Sequence, residues 1–66
     1  MRLTVNGKPV EVPDGSTVSG LLRVIALEPL RVAVERNQDV VPRHAWGDEK
    51  LREGDQIEIV TFVGGG

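Results

Sequence analysis

The sequence predicts an α+β domain in which one helix covers one face of a four- or five-stranded mixed sheet, leaving the other face open. Three observations carry this. Apolar residues alternate with polar ones near both ends of the chain, at Leu3 and Val5 and again at Ile57 and Ile59. One internal segment, Val18, Leu21, Leu22 and Ile25, has the i, i+3, i+4, i+7 spacing of a helical face. Between these lies a second alternating stretch, Arg31 to Glu35.

In chain order, Leu3 and Val5 alternate with Arg2, Thr4 and Asn6, and Val10 and Val12 flank Glu11. Asn6-Gly7 between them is the strongest short hairpin signal, so the domain opens with a β-hairpin. Pro13-Asp14-Gly15 ends the second strand, and Ser16 or Thr17 can cap the helix by accepting a hydrogen bond from a first-turn amide. Gly20 costs this helix on the order of 1 kcal/mol relative to alanine, so docking onto the sheet must hold it. Glu28-Pro29 ends it.

Val32 and Val34 fall on one side of the third strand, with Arg31, Ala33 and Glu35 on the other. Asn37-Gln38-Asp39 is a polar turn, and Val40-Val41 a short strand stopped by Pro42, which has no N–H to donate to a ladder. Arg43 to Leu51 is a mixed connection that Trp46 and Leu51 pin to the core. Glu53-Gly54-Asp55 turns the chain into the last strand, Ile57 to Val63. There Ile57 and Ile59 face the helix, which puts Glu58, Val60 and Phe62 on the open face. Two readings of Phe62 and Val63 stay open: an apolar docking patch, or packing against the rim of the sheet.

A chain of 66 residues makes one domain. It buries only about 60% of the surface its unfolded form exposes, which leaves little room for an enclosed active site. The expected organisation is a domain over residues 1–63 followed by a flexible glycine tail, 64–66. With no cysteine, disulfides, thiolate metal sites and side-chain sulfur chemistry are excluded. No metal site is expected either, because His44 is the single histidine and reads as a solvated loop residue. Eight basic and ten acidic residues give a net charge of −2 with no basic block, which disfavours nucleic acid. No segment reads as a membrane span or a signal peptide, so the expected place is the cytoplasm and the expected state in isolation a monomer.

No nucleophile–base pair, carboxylate pair or phosphate-cradling loop stands out, so no catalytic residue is assigned. The informative feature is the ending, Gly64-Gly65-Gly66, directly after a strand pattern. Glycine has no Cβ, so such a tail can thread a channel closed to other sequences. Three residues carry the last carboxylate roughly 10 Å beyond the strand. The alternative is a frayed end, since termini tolerate change. An α-carboxyl is ionised at neutral pH and resists nucleophiles, so a partner enzyme must activate it before an amine, thiol or persulfide can attack.

Several segments together resemble a known family. Val5-Asn6-Gly7, the capped helix from Thr17 through Leu21-Leu22, Val32-Ala-Val-Glu-Arg-Asn37 and Val40-Val-Pro-Arg43 are followed by Trp46, Leu51, Gly54-Asp55, Ile57-Glu-Ile-Val60 and Val63-Gly-Gly-Gly66. In order and spacing they resemble the ThiS sulfur carrier proteins of thiamin thiazole synthesis. The resemblance implies a ubiquitin-like β-grasp fold. It implies that a ubiquitin-activating-type adenylyltransferase (ThiF-like), using ATP and magnesium, adenylates Gly66. Sulfur, passed as a persulfide from a cysteine desulfurase, then leaves a thiocarboxylate there, and a thiazole synthase (ThiG-like) accepts it. The chain would be a co-substrate that binds no cofactor itself, with Gly66 carrying sulfur, Gly64 and Gly65 threading into partner sites, and Val60, Phe62 and Val63 docking. The small subunit of molybdopterin synthase shares this chemistry but tends to approach its tail through a Phe-Pro-Pro-like run, where this chain has Thr61-Phe62-Val63. The resemblance is also compatible with a carrier for another sulfur-containing product, and the fold alone with a β-grasp interaction module whose carboxylate is never activated.

Overall fold

The computed structural model describes residues 1–62. Five strands form one mixed sheet: β1 (Arg2–Val5), β2 (Lys8–Glu11), β3 (Val32–Arg36), β4 (Asp39–Val40) and β5 (Gln56–Thr61), in the spatial order β2-β1-β5-β3-β4. The expectation of one helix on a mixed sheet holds, with five strands. The last strand in sequence lies in the centre. It runs parallel to β1, with Thr4 opposite Gln56 and Val5 opposite Ile57, and antiparallel to β3 from Val32 opposite Thr61 to Arg36 opposite Ile57.

The hairpin turn at Asn6-Gly7 has φ of 49° and 82°, the left-handed pair that a two-residue turn between twisted strands requires. In the outer strand β2 the pairing of Val10 with Leu3 and Lys8 with Val5 turns Pro9 outward, so its missing N–H leaves no gap in the ladder.

The helix α1 (Val18–Val24) begins at Thr17, whose Oγ1 accepts from the Gly20 amide at 3.2 Å. Ser16, the other candidate cap, instead donates its hydroxyl to the Pro13 carbonyl. Seven residues are too few to be stable alone, so burial of Val18, Leu21 and Leu22 against the sheet holds the helix. Truncating Leu21 to alanine there should cost about 2–5 kcal/mol. The helix stops earlier than the sequence suggests. Ile25 is the cap residue and Ala26 turns left-handed at φ 59°, after which a 3-10 turn (Pro29–Arg31) leads into β3.

The core lies between the helix and one sheet face: Leu3 and Val5, Val32 and Val34, and Ile57 and Ile59 from the strands, with Val12, Val41, Trp46 and Leu51 from the connections. Trp46 and Leu51 thus pin the long connection as expected. Trp46 donates Nε1–H to the Val41 carbonyl at 2.8 Å, and the Arg43 guanidinium stacks 4.7 Å from its ring centroid. Arg43, from a 3-10 turn (Arg43–Ala45), also donates to the carbonyls of Pro29, in the turn before β3, and of Val32, at the start of β3 beyond the reach of the short β4. His44 is exposed. No helix among the described residues is long and apolar enough to cross a membrane.

Candidate functional site

The site is built around β5, because that strand delivers the chain end. Its entry is fixed by Asp55. Asp55 is 6% exposed, and its side-chain Oδ2 accepts from Arg36 Nε and from the Arg52 amide, both at 2.8 Å, while its Oδ1 accepts from Asn37 Nδ2 at 3.1 Å. Burial by itself pushes this carboxyl up. The hydrogen bonds from the Arg52 amide, Asn37 and Arg36, with the Arg36 charge, outweigh that and hold its pKa below the usual carboxylate value. Asn37 also exchanges two hydrogen bonds with the Gln56 backbone, accepting at Oδ1 and donating its amide. The start of β5 is therefore tied to the β3–β4 turn.

Asn6 holds the middle of β5. Its amide N–H donates to the Ile57 carbonyl, its Oδ1 accepts from the Ile59 amide at 2.7 Å, and its Nδ2 donates to the Ile59 carbonyl at 3.2 Å. At the far end, the Phe62 amide donates to the Arg31 carbonyl at 2.7 Å. Phe62 is thus the last described point at which the chain is tied to the sheet, and the four residues after it span at most about 14 Å.

Alternation along β5 places the side chains as the sequence predicts. Ile57 and Ile59 are buried on the helix face; Val60 is 55% exposed and Phe62 is 52% exposed on the open one. Beside them stand Ala33, directly opposite Val60, and Val40, 70% exposed. Phe62 borders a shallow hollow of about 190 Å³ between the end of β5 and the β3–β4 edge. It does not enter the core. Behind this apolar rung lie Glu35 and Glu58, paired across β3 and β5. Of the residues singled out from the sequence, Val60 and Phe62 come together on one face; Val63, Gly64, Gly65 and Gly66 lie outside the described residues.

Neither the Asp55 clamp nor the Asn6 amide is legible in the sequence. Gly54-Asp55 and Asn6-Gly7 read as turns, and nothing local says that their polar side chains reach partners 19 and 53 residues away. The Glu35–Glu58 pairing requires the register of β3 against β5. Alternation puts each glutamate on a face but does not set them opposite each other.

The family model of ThiS matches residues 3–66. A crystal structure of a thiamine biosynthesis protein (ThiS) from Geobacter metallireducens superposes with a TM-score of 0.85 at 38% identity, covering 100% of both chains. The sulfur carrier protein ThiS of Bacillus subtilis is 42% identical over 97% of this chain and 98% of its own length. A thiazole synthase of Magnetococcus marinus is 47% identical over the whole chain, which spans only 20% of that larger protein. The chain belongs to the ThiS family, and its fold is the β-grasp of that family's solved structure.

Proposed function

We propose that the chain is a sulfur carrier of thiamin biosynthesis that holds sulfur as a thiocarboxylate on Gly66. The observation that carries this reading is similarity along nearly the full length of both chains to a sulfur carrier protein. The chemistry of the chain agrees with it. There is no thiol to carry sulfur, so the terminal carboxyl is the group available.

Sulfur loading takes three steps. A carboxylate oxygen of Gly66 attacks the α-phosphorus of ATP on an adenylating enzyme, and pyrophosphate leaves. The terminal sulfur of a persulfide, supplied through a cysteine desulfurase, then attacks the acyl carbon; AMP departs, and a thiol reduces the sulfur–sulfur bond to leave the thiocarboxylate. ATP and magnesium belong to the adenylating enzyme. The chain contributes reach and shape: Gly64 and Gly65 thread into the partner's site, while Val60, Phe62 and Val63 dock the domain at its mouth. The acceptor is a thiazole synthase, a reading supported by the thiazole synthase that contains a segment similar to this entire chain.

Pyrophosphate exchange with the adenylating enzyme of the same organism tests the threading. The unaltered chain should support ATP-dependent exchange. Gly65→Val, which adds a β-branched side chain next to the reacting carboxyl and restricts its backbone, should abolish exchange while binding falls little. Unchanged exchange would count against a narrow channel.

A further inference from the structure

Asp55 ties the start of β5 and Asn6 its middle; the far end is held less directly, through Arg43. The last described tie is the Phe62 amide donating to the Arg31 carbonyl at 2.7 Å. That carbonyl belongs to the 3-10 turn Pro29–Arg31, none of whose residues is buried, so apolar packing does not fix where it stands. Arg43 does. Its Nη1 donates to the Pro29 carbonyl and its Nη2 to the Val32 carbonyl at 3.0 Å, so one guanidinium grips the backbone on both sides of Arg31. The guanidinium in turn lies 4.7 Å from the centroid of the Trp46 ring, and Trp46 is 6% exposed and bonded through Nε1 to the Val41 carbonyl. A continuous set of contacts therefore runs from the core through Trp46, Arg43 and Arg31 to Phe62, four residues before the terminal carboxyl.

We propose that Arg43 is a positioning residue for adenylation of Gly66: by holding the Arg31 carbonyl in place against Phe62, it sets the point from which the tail reaches. The proposal rests on the reading of the chain as a carrier whose Gly66 is adenylated. If the bond between Phe62 and Arg31 opens, the chain is fixed only from the rungs behind it, Val32 opposite Thr61 and Ala33 opposite Val60. Each residue so released can displace the carboxyl by up to about 3.5 Å. Attack on the α-phosphorus needs the carboxylate oxygen aligned at about 3–3.5 Å, and a misplacement of about 1 Å can cost on the order of 100-fold in rate. Lysine cannot replace Arg43 here, because a single ammonium has neither a planar fork to span two carbonyls nor a flat face to lie on Trp46. Arg43 is itself exposed, so replacing it should disturb the end of β5 far more than the core.

Two variants separate positioning from general stability: Arg43→Lys, which keeps the charge, and Val12→Ala, a core truncation just past β2 at the opposite edge of the sheet. Amide hydrogen exchange followed by NMR should show Phe62 exchanging about tenfold faster relative to Ile59 in Arg43→Lys, with the ratio unchanged in Val12→Ala. In ATP–pyrophosphate exchange with the adenylating enzyme of the same organism, Arg43→Lys should lower kcat about tenfold with little change in KM for the chain. Val12→Ala should keep the kcat of the unaltered chain. An unchanged ratio of Phe62 to Ile59 exchange, or an unchanged kcat, in Arg43→Lys would overturn the proposal while leaving the carrier reading in place. So would an equal loss of kcat in Val12→Ala, since the effect would then be one of general stability. If the unaltered chain supports no ATP-dependent exchange, the carrier reading falls and the proposal with it.

Discussion

Asn6 and Ile59 are joined by two hydrogen bonds, the Ile59 amide donating to Asn6 Oδ1 and Asn6 Nδ2 donating to the Ile59 carbonyl. The side-chain amide stands where the next residue of β1 would pair, although the backbone has already turned away into the hairpin at φ 49°. One residue thus closes the opening hairpin and steadies the strand that bears the tail.

Asn6→Gly separates these two roles, because glycine adopts the left-handed turn without strain but has no amide to offer. It should lower stability by about 1–3 kcal/mol, the cost of leaving partly buried backbone groups without partners. Urea denaturation measures this. No change would mean that water replaces the amide.

Asp55 makes the stability of the fold depend on pH in the acid range. Its carboxyl titrates below the ordinary aspartate value, so the folded state binds fewer protons than the unfolded one in that range. The stabilisation is present in full above the ordinary value and is lost as pH falls through the lowered folded one. Asp55→Asn should cost about 1.5–3 kcal/mol at neutral pH, the range for hydrogen bonds to a charged group. The gap between the two proteins should shrink below about pH 4 in denaturation experiments. A gap that stays constant into acid would show that the charge of Asp55 contributes nothing.

The two hairpins share one geometry and differ in sequence. Asn37 and Gln38 have φ of 50° and 74°, close to the values at Asn6 and Gly7, yet the second position carries a glutamine. Gln38→Gly should therefore stabilise the protein by up to about 1 kcal/mol, the cost of holding a side-chain-bearing residue left-handed. Thermal unfolding would register this as a rise in melting temperature, and a fall would contradict the turn assignment.

The same contrast separates what is legible in the sequence from what is not. Asn6-Gly7 announces its turn, and the opening β1–β2 hairpin is legible from it. Asn37-Gln38 reads only as a polar turn, and the strand after it is Asp39–Val40 where Val40-Val41 is expected. Val41 instead enters the core, its amide bonded to the Val34 carbonyl. The burial of Ile57 and Ile59 and the exposure of Val60 and Phe62 follow from alternation, because a strand with one open face must alternate. The Asp55 clamp and the opposition of Glu35 to Glu58 follow from which strands become neighbours, and sequence periodicity carries no such information.

Phe62 stands on the open face beside Val60 and outside the core cluster, so Phe62→Ala should change folding stability by less than about 1 kcal/mol. If the face docks a partner, the same substitution should weaken binding to the adenylating enzyme or the thiazole synthase by more than about 1 kcal/mol. Thermal unfolding and calorimetric titration of this one variant give both numbers. A large loss of stability with binding preserved would remove Phe62 from the docking surface.

Whether Gly66 carries the sulfur is tested most directly by the intact mass of the chain, and of its C-terminal peptide, after incubation with the adenylating enzyme, ATP, magnesium and a persulfide donor. One sulfur should replace one oxygen, and the change should be confined to the C-terminal peptide. Deleting Gly66 should abolish it while leaving the circular dichroism spectrum unaltered. Sulfur acquired by the truncated chain at the normal rate, or an unchanged mass for the full chain, would contradict the assignment of Gly66 as the carrier.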